Sequence, residues 1–377
     1  MISIIILWAS AAVAAYVYIG FPVVLALLRR FARHPVRKGP IEPTVSVLVA
    51  AYNEADVIEA KIRNSLALDY PADRIDIAIA CDGPTDGTTE IATRVAAEIG
   101  QGRVRVFAYP KNRGKLYVLN DTVRELTGEI VVLTDAASML ATDAVRRLIE
   151  NFADPRVGAV SGVYRITRGD DATLGTQEDF YWRYETFLKE AEGDVGSILG
   201  CHGALYALRR ALYPYPAPST INDDYVIPMR ILQAGYRVAY DSSAVATEEA
   251  HEMAGFSRRV RIMTGNFQQL SELGALLRPL RPGPLFFFLS HKAGRLVVPL
   301  AMLGMLISNA FLLDRPFYRG LFALQLLFYA LVLLGALIRL RPKILRLPYY
   351  FCMINAAAFV GMYYALRGGR TLAWKRE

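Results

Sequence analysis

Between Ile2 and Leu28 the chain carries no charged side chain. The stretch exceeds the ~20 residues an apolar helix needs to cross a bilayer, so residues 1–28 read as a transmembrane helix. A secretory signal would place its positive charge ahead of a shorter apolar core, whereas Arg29, Arg30, Arg33, Arg37 and Lys38 all follow this one. The positive-inside tendency puts the segment after it in the cytoplasm. Three more apolar runs, 296–313, 320–338 and 348–366, close the chain and are each just long enough to span. The expectation is a multi-pass protein of the cell inner membrane with a cytoplasmic middle.

Ahead of the second run, residues 285–295 set Phe286, Phe287 and Phe288 beside His291, Lys292 and Arg295. This suits an interfacial helix, and equally the first turns of the span that follows. The last run poses a conflict. Four single spans would put the C-terminus outside, yet Arg339, Arg341, Lys343 and Arg346 before it, and Arg367, Arg370, Lys375 and Arg376 after it, both favour the cytoplasm. Either 348–366 is re-entrant, as Pro348, Asn355 and Gly361 allow, or the charge bias is overridden there.

The middle, 39–284, has a different composition. It holds 26 of the 43 basic residues and 33 of the 35 acidic ones. The net charge of +8 therefore belongs to the membrane flanks and speaks for lipid contact, not for nucleic acid. The content of 54% hydrophobic residues excludes a disordered chain. Cys81, Cys201 and Cys352 are too scattered for a disulfide framework or a zinc site, which fits a reducing compartment.

Short apolar runs alternate here with amphipathic stretches, the pattern of β-α-β units and a parallel sheet. Strands are expected at Val45–Ala51, Ile75–Cys81, Val104–Ala108 and Ile130–Thr134. Helices are expected at Ala55–Leu66, Thr88–Ile99, Lys115–Leu126 and Thr142–Phe152. Ligands of such sheets bind beyond the carboxyl ends of the strands. Those ends read Ala51-Tyr52-Asn53-Glu54, Cys81-Asp82-Gly83 and Thr134-Asp135-Ala136-Ala137-Ser138, so three of them bring a carboxylate to one edge. Neither a Gly-x-Gly-x-x-Gly turn nor a Walker loop is present. An edge of this kind suits a nucleotide held by Asp and backbone, its diphosphate neutralised by Mg²⁺ or Mn²⁺.

These motifs resemble the family 2 glycosyltransferases of GT-A fold, in the membrane-embedded branch with cellulose, hyaluronan and poly-N-acetylglucosamine synthases. The resemblance covers most of the chain. It implies an α/β fold, a Rossmann-like mixed sheet flanked by helices, between N-terminal and C-terminal transmembrane helices. It makes Ala51, Tyr52, Glu54, Asp82 and Lys115 (in Asn112-Arg-Gly-Lys115) donor contacts, and puts Asp135 at the Asp-x-Asp position as a metal ligand and donor contact. Gly200, Cys201 and His202 resemble the acceptor-side loop. Asp223 and Asp224 stand at the Thr-Glu-Asp position, with Asp224 as general base and Asp223 on the acceptor side. Arg259 and Arg261 match the two arginines of Gln-Arg-x-Arg-Trp and would pair with the diphosphate.

Three departures bear on function. Ala137 replaces the second Asp of Asp-x-Asp, which leaves the metal's ligand set open among Asp82, Ser138, His202 and His251. Arg258 and Ile262 replace the Gln and Trp of the processive branch. The resemblance thus implies an inverting transferase that moves a sugar from a UDP-linked donor to a lipid-linked or envelope glycan acceptor. A processive synthase that secretes its polymer is the alternative; a non-catalytic nucleotide-binding protein fits less well, since Asp82, Asp135 and Asp224 are all kept. Membrane lipids and other polysaccharide-assembly proteins are the remaining expected partners.

Overall fold

The computed structural model describes residues 1–167, 175–249, 256–271, 282–337 and 347–367. His251 and the basic flanks at 339–346 and 370–376 lie outside the described residues. One mixed sheet of eight strands organises the middle: β1 Val45–Ala51, β2 Ile75–Asp82, β3 Val104–Tyr109, β4 Ile130–Asp135, β5 Met139–Leu140, β6 Val157–Thr167, β7 Tyr206–Arg209 and β8 Arg237–Glu249, in the order β3-β2-β1-β4-β7-β6-β8-β5.

β1 to β4 are parallel to one another. Every residue of β1 is buried, as a central parallel strand with both faces covered requires. Helices α2 Ile58–Leu66, α3 Thr88–Ile99, α4 Lys115–Glu125 and α5 Ala144–Glu150 connect these strands and complete the two apolar cores, one on each face of the sheet. The starts and ends lie within a few residues of those expected. α2 opens at Ile58 and not at Ala55, because Asn53 adopts a left-handed φ of 54° and residues 54–57 turn before the helix begins.

The second half of the sheet is where parallel order stops. β7 runs antiparallel to both β4 and β6, while β6 and β8 are parallel neighbours. Pairing of Tyr206 with Leu133 brings the start of β7 to the carboxyl end of β4. The loop preceding β7, residues 200–204, is thereby carried to the edge where Asp135 stands. α6 Gly175–Val195, α7 Asp223–Gln233 and α8 Phe256–Ser271 fill the space between this half and the apolar helices.

Among the described residues, four helices are long and apolar enough to cross a membrane: α1 Ile2–Phe31, α9 Pro282–Ala310, α10 Pro316–Leu337 and α11 Leu347–Leu366. Residues 285–295 do not form a separate interfacial helix. They are the first turns of α9, whose π-helical segment Phe288–Ala293 absorbs the extra residue without a break. A second π-helical segment, Tyr16–Gly20, interrupts α1 at the level where the two helices touch. There Tyr16 Oη lies 2.8 Å from Ser290 Oγ, and Val17 packs on Gly294.

Candidate active site

β2 and β4 flank β1, with Cys81 beside Ala51 and Asp135 beside Ala50. Asp82 and Asp135 therefore stand two strands apart at the same edge, offset by two residues along β1. Between Asn53 and α3 the loop is held by short polar contacts: Asn53 Oδ1 accepts from the Thr85 amide at 2.9 Å, and the Glu54 amide donates to Thr88 Oγ1 at 2.8 Å. Ala51 and Glu54 are buried and Tyr52 is half-buried at this edge.

Asp82, 1% exposed, accepts the Arg113 amide on Oδ1 and the Gly114 amide on Oδ2, both at 2.8 Å. Both carboxylate oxygens thus anchor the 112–115 loop over the end of β2. The loop comes this near because residue 83 is glycine: at φ +58° a Cβ there would stand 2.3 Å from the Lys111 carbonyl carbon. Lys115 is the first residue of α4, so anchoring the loop aims its ammonium. Nζ lies 2.9 Å from Asp135 Oδ1 and 3.5 Å from Asp223 Oδ2. Burial alone would depress this lysine's pKa. The carboxylates of Asp135, Asp223 and Asp224 outweigh burial and raise it, so Lys115 is a fixed cation at the centre of three anions.

Asp135 and Asp224 converge at Gly203. A methyl group built on Gly203 would lie 3.5 Å from Asp224 Oδ2 and 3.8 Å from Asp135 Oδ2. The backbone of the Gly200–Cys201 turn fixes Asp224, since the Cys201 amide donates to its carbonyl at 2.8 Å. Burial, and then the neighbouring Asp223 carboxylate, raise the Asp224 pKa to about 6, against the pull of Lys115, Lys189 and Lys292. A carboxylate so tuned is ionised near neutrality yet basic enough to take a proton. Burial pushes the Cys201 thiol up to about 12 and holds the His202 ring neutral. His202 faces Tyr240 at 6.0 Å, and its amide donates to Ser161 Oγ at 2.9 Å.

Asn222 does not cap α7. Its Nδ2 donates to the Ile262 carbonyl and to Asn266 Oδ1, both at 3.2 Å, tying the start of α7 to α8. Of the three arginines of α8, Arg259 and Arg261 part ways. Arg261 feels the charges of Asp223, Asp224 and Asp135, whereas Arg259 donates to Tyr350 Oη at 2.6 Å and stacks on that ring, so it faces α11.

The sequence reading overlooked the buried cations. Lys189 Nζ donates to the Gly200 carbonyl at 2.5 Å, and Lys61 Nζ donates to Thr134 Oγ1 at 2.9 Å and to the Ser138 carbonyl. A signal for Lys61 existed: it interrupts the Ile58, Ile62, Ser65 stripe of α2, where helical spacing predicts an apolar residue.

No group of three or more His, Cys, Asp and Glu able to hold a metal occurs among the described residues. At the β4 turn the donor is Asp135; Ser138 Oγ donates instead to Glu248 Oε2 at 3.3 Å, and both Asp82 oxygens are engaged by amides. Mg²⁺ and Mn²⁺ bind through one or two carboxylates together with substrate phosphates. This donor set fits an ion shared with a diphosphate.

A family model described as "Glycosyltransferase like family 2" matches residues 43–264. A poly-beta-1,6-N-acetyl-D-glucosamine synthase of Staphylococcus aureus is 28% identical over 234 residues, 60% of this chain and 55% of that protein. An N-acetylglucosaminyltransferase of Rhizobium leguminosarum bv. viciae is 26% identical over 253 residues, 64% of this chain and 59% of that protein. The chain thus spans less than two thirds of the length of these relatives. Among solved structures, a mannosyltransferase from Pyrobaculum calidifontis in complex with GDP-Man and Mn²⁺ superposes with a TM-score of 0.75 at 25% identity, over 96% of this chain and 99% of that one.

Proposed function

The chain belongs to the glycosyltransferase-like family 2 and has the GT-A fold, and from that premise we propose that it transfers a sugar with inversion from a nucleoside-diphosphate donor to a membrane-borne acceptor, with Asp224 as base. The observation that carries this reading is the meeting of Asp135 and Asp224 at Gly203, with Lys115 between Asp135 and Asp223. Asp224 takes the proton of the acceptor hydroxyl while that oxygen attacks the anomeric carbon. The bond from that carbon to the diphosphate oxygen breaks on the opposite face, and the nucleoside diphosphate leaves. No protein nucleophile is needed. General-base assistance of this kind is worth ~10²–10⁴ in rate.

The leaving diphosphate gathers negative charge. Lys115, which contacts Asp135 and Asp223, and Arg261, which feels the charges of the same carboxylates, are assigned to it. Asp135 would hold the divalent ion, which supplies further charge stabilisation when bound. The donor edge, built from Ala51, Tyr52, Glu54 and the Asp82-anchored loop, is assigned to the nucleotide. The loop Gly200–His202 and Asp223 border the acceptor side. The Arg29–Lys38 cluster supports a position for this domain on the cytoplasmic face of the cell inner membrane.

The test is the purified full chain in detergent with Mn²⁺, membrane lipid extract and radiolabelled UDP- and GDP-linked sugars. A single labelled lipid band is the expected product. The likeness to a poly-N-acetylglucosamine synthase favours a second reading, repeated transfer, which a ladder of products would establish. No transfer from any donor would refute both.

A further inference from the structure

Helix α2 grips the turn that carries Asp135 from below. Lys61 is fully buried, and its Nζ donates to the Thr134 hydroxyl and the Ser138 carbonyl, the residues that bracket Asp135, Ala136 and Ala137. On the same face of α2, Asn64 makes two 2.8 Å hydrogen bonds with Leu140: Nδ2 donates to the carbonyl and Oδ1 accepts from the amide. The turn is therefore fastened at both ends by one helix. Thr134 carries the hold further. Its hydroxyl accepts from Lys61 and donates to the Ala204 carbonyl at 2.7 Å, next to Gly203, where Asp135 and Asp224 meet.

We infer that Lys61 is a positioning residue: it fixes the Asp135 turn and, through Thr134 and Ala204, the spacing of Asp135 from Asp224, so that a turn with one carboxylate can bind a divalent ion. Two physical points support this. An ammonium buried beside Ile58 and Ile62 carries a heavy desolvation cost, and an apolar residue of similar volume would serve the fold at least as well. A second carboxylate would ordinarily help to fix the ion, and here Ala137 stands in its place. A turn held rigid in advance lowers the ordering cost of binding. α2 also begins just after the donor-contact residues Tyr52–Glu54, so the same helix joins the nucleotide edge to the metal turn.

The inference rests on the proposed function, and its test does not depend on turnover. The full chain, Lys61→Met and Thr134→Val are titrated with Mn²⁺ in the presence of UDP or GDP, free ion being read by electron paramagnetic resonance. Metal-free thermal unfolding is measured alongside. Loss of a partner behind a metal ligand weakens metal binding by about 10–100-fold. Lys61→Met is expected at the lower end of that range with an unchanged or higher melting temperature, and Thr134→Val is expected to weaken binding less. If both variants bind Mn²⁺ as the parent does, the inference is overturned alone. A lower melting temperature for Lys61→Met with unaltered Mn²⁺ binding in Thr134→Val also overturns it, leaving Lys61 a purely structural residue. A parent chain that binds no Mn²⁺ with either nucleotide overturns this inference and the metal role given to Asp135, while sugar transfer by the parent chain would leave the proposed function standing.

Discussion

Buried carboxylates are satisfied in opposite ways on the two sides of this site. On the donor side, Asp82 is met by two backbone amides of the adjoining loop. On the side facing the apolar helices, Glu192 and Glu185 of α6 are met by side chains of α9: His291 Nδ1 lies 2.6 Å from Glu192 Oε1, and Arg295 lies 2.5 Å from Glu185 Oε1. Burial raises the pKa of Glu192, while for Glu185 Arg295 and the neighbouring lysines outweigh burial and lower it. Lys189, between the two on the same helix, reaches the Gly200 carbonyl and so ties this ionic layer to the turn that holds Asp224. The donor edge is completed by its own loops. The proposed acceptor edge is tied through Lys189 to a layer of carboxylates that α9 meets, so its integrity should depend on the surroundings of α9.

The sharpest break in this comparison is Asp224→Asn, which removes the proposed base and leaves the donor edge intact. Turnover should fall by ~10²–10⁴ while nucleotide affinity, read by calorimetry, stays within about twofold. The same group sets the pH dependence. Its folded pKa is raised to about 6, so kcat/KM should rise with pH up to about 6 and then level. The raised value also means that ionised Asp224 opposes folding. Stability from this group is fully present below the unfolded carboxylate pKa near 4 and is lost as pH rises through about 6. Asp224→Asn should accordingly melt higher than the parent at pH 7.5.

Next in size is a matched pair. Asp82→Ala removes the carboxylate that accepts from the Arg113 and Gly114 amides, a loss of about 1.5–3 kcal/mol for each hydrogen bond to the charged group. It should weaken nucleotide binding about tenfold in detergent and in nanodiscs alike. Glu192→Ala should instead lower turnover with nucleotide affinity retained, and the defect should change with the lipid used. Equal lipid dependence of the two variants would erase the distinction between the edges. The smallest effect belongs to Tyr350→Phe, which removes the 2.6 Å hydrogen bond to Arg259 and keeps the stacked ring. About 1 kcal/mol is at stake, a change in turnover of no more than about fivefold.

The same contrast decides what was legible in the sequence. β1 to β4 and their helices announce themselves, because parallel strands are apolar runs and three of the four end on a local signal: Asn53-Glu54 for β1, Asp82-Gly83 for β2 and Asp135 for β4. Nothing local marks β5, or tells that β7 inserts antiparallel between β4 and β6. Those pairings are set by residues far apart in the chain. The fold class was readable through family resemblance, and the position of Gly203 between two carboxylates was not. Asp82 shows the limit of a motif: its presence at the strand end is plain, yet its two amide partners follow only from how Gly83 lets the loop fold back. Lys61 and Lys189 were overlooked because a lysine in a helix is ordinarily solvated.

The contact between α8 and α11 would link the proposed chemistry to the mechanical state of a bilayer that held α11. Gly361 lies so close to α8 that a Cβ there would stand 2.7 Å from Met263 Cβ, and Arg259 clasps Tyr350 nearer the start of α11. α8 also holds Asn222 and carries Arg261, so any tilt of α11 imposed by membrane thickness or lateral pressure is passed to the start of the helix bearing Asp224. Turnover plotted against temperature should change slope at the gel-to-fluid transition of the host lipid; a plot that stays straight through the transition would show that the two helices slip past each other.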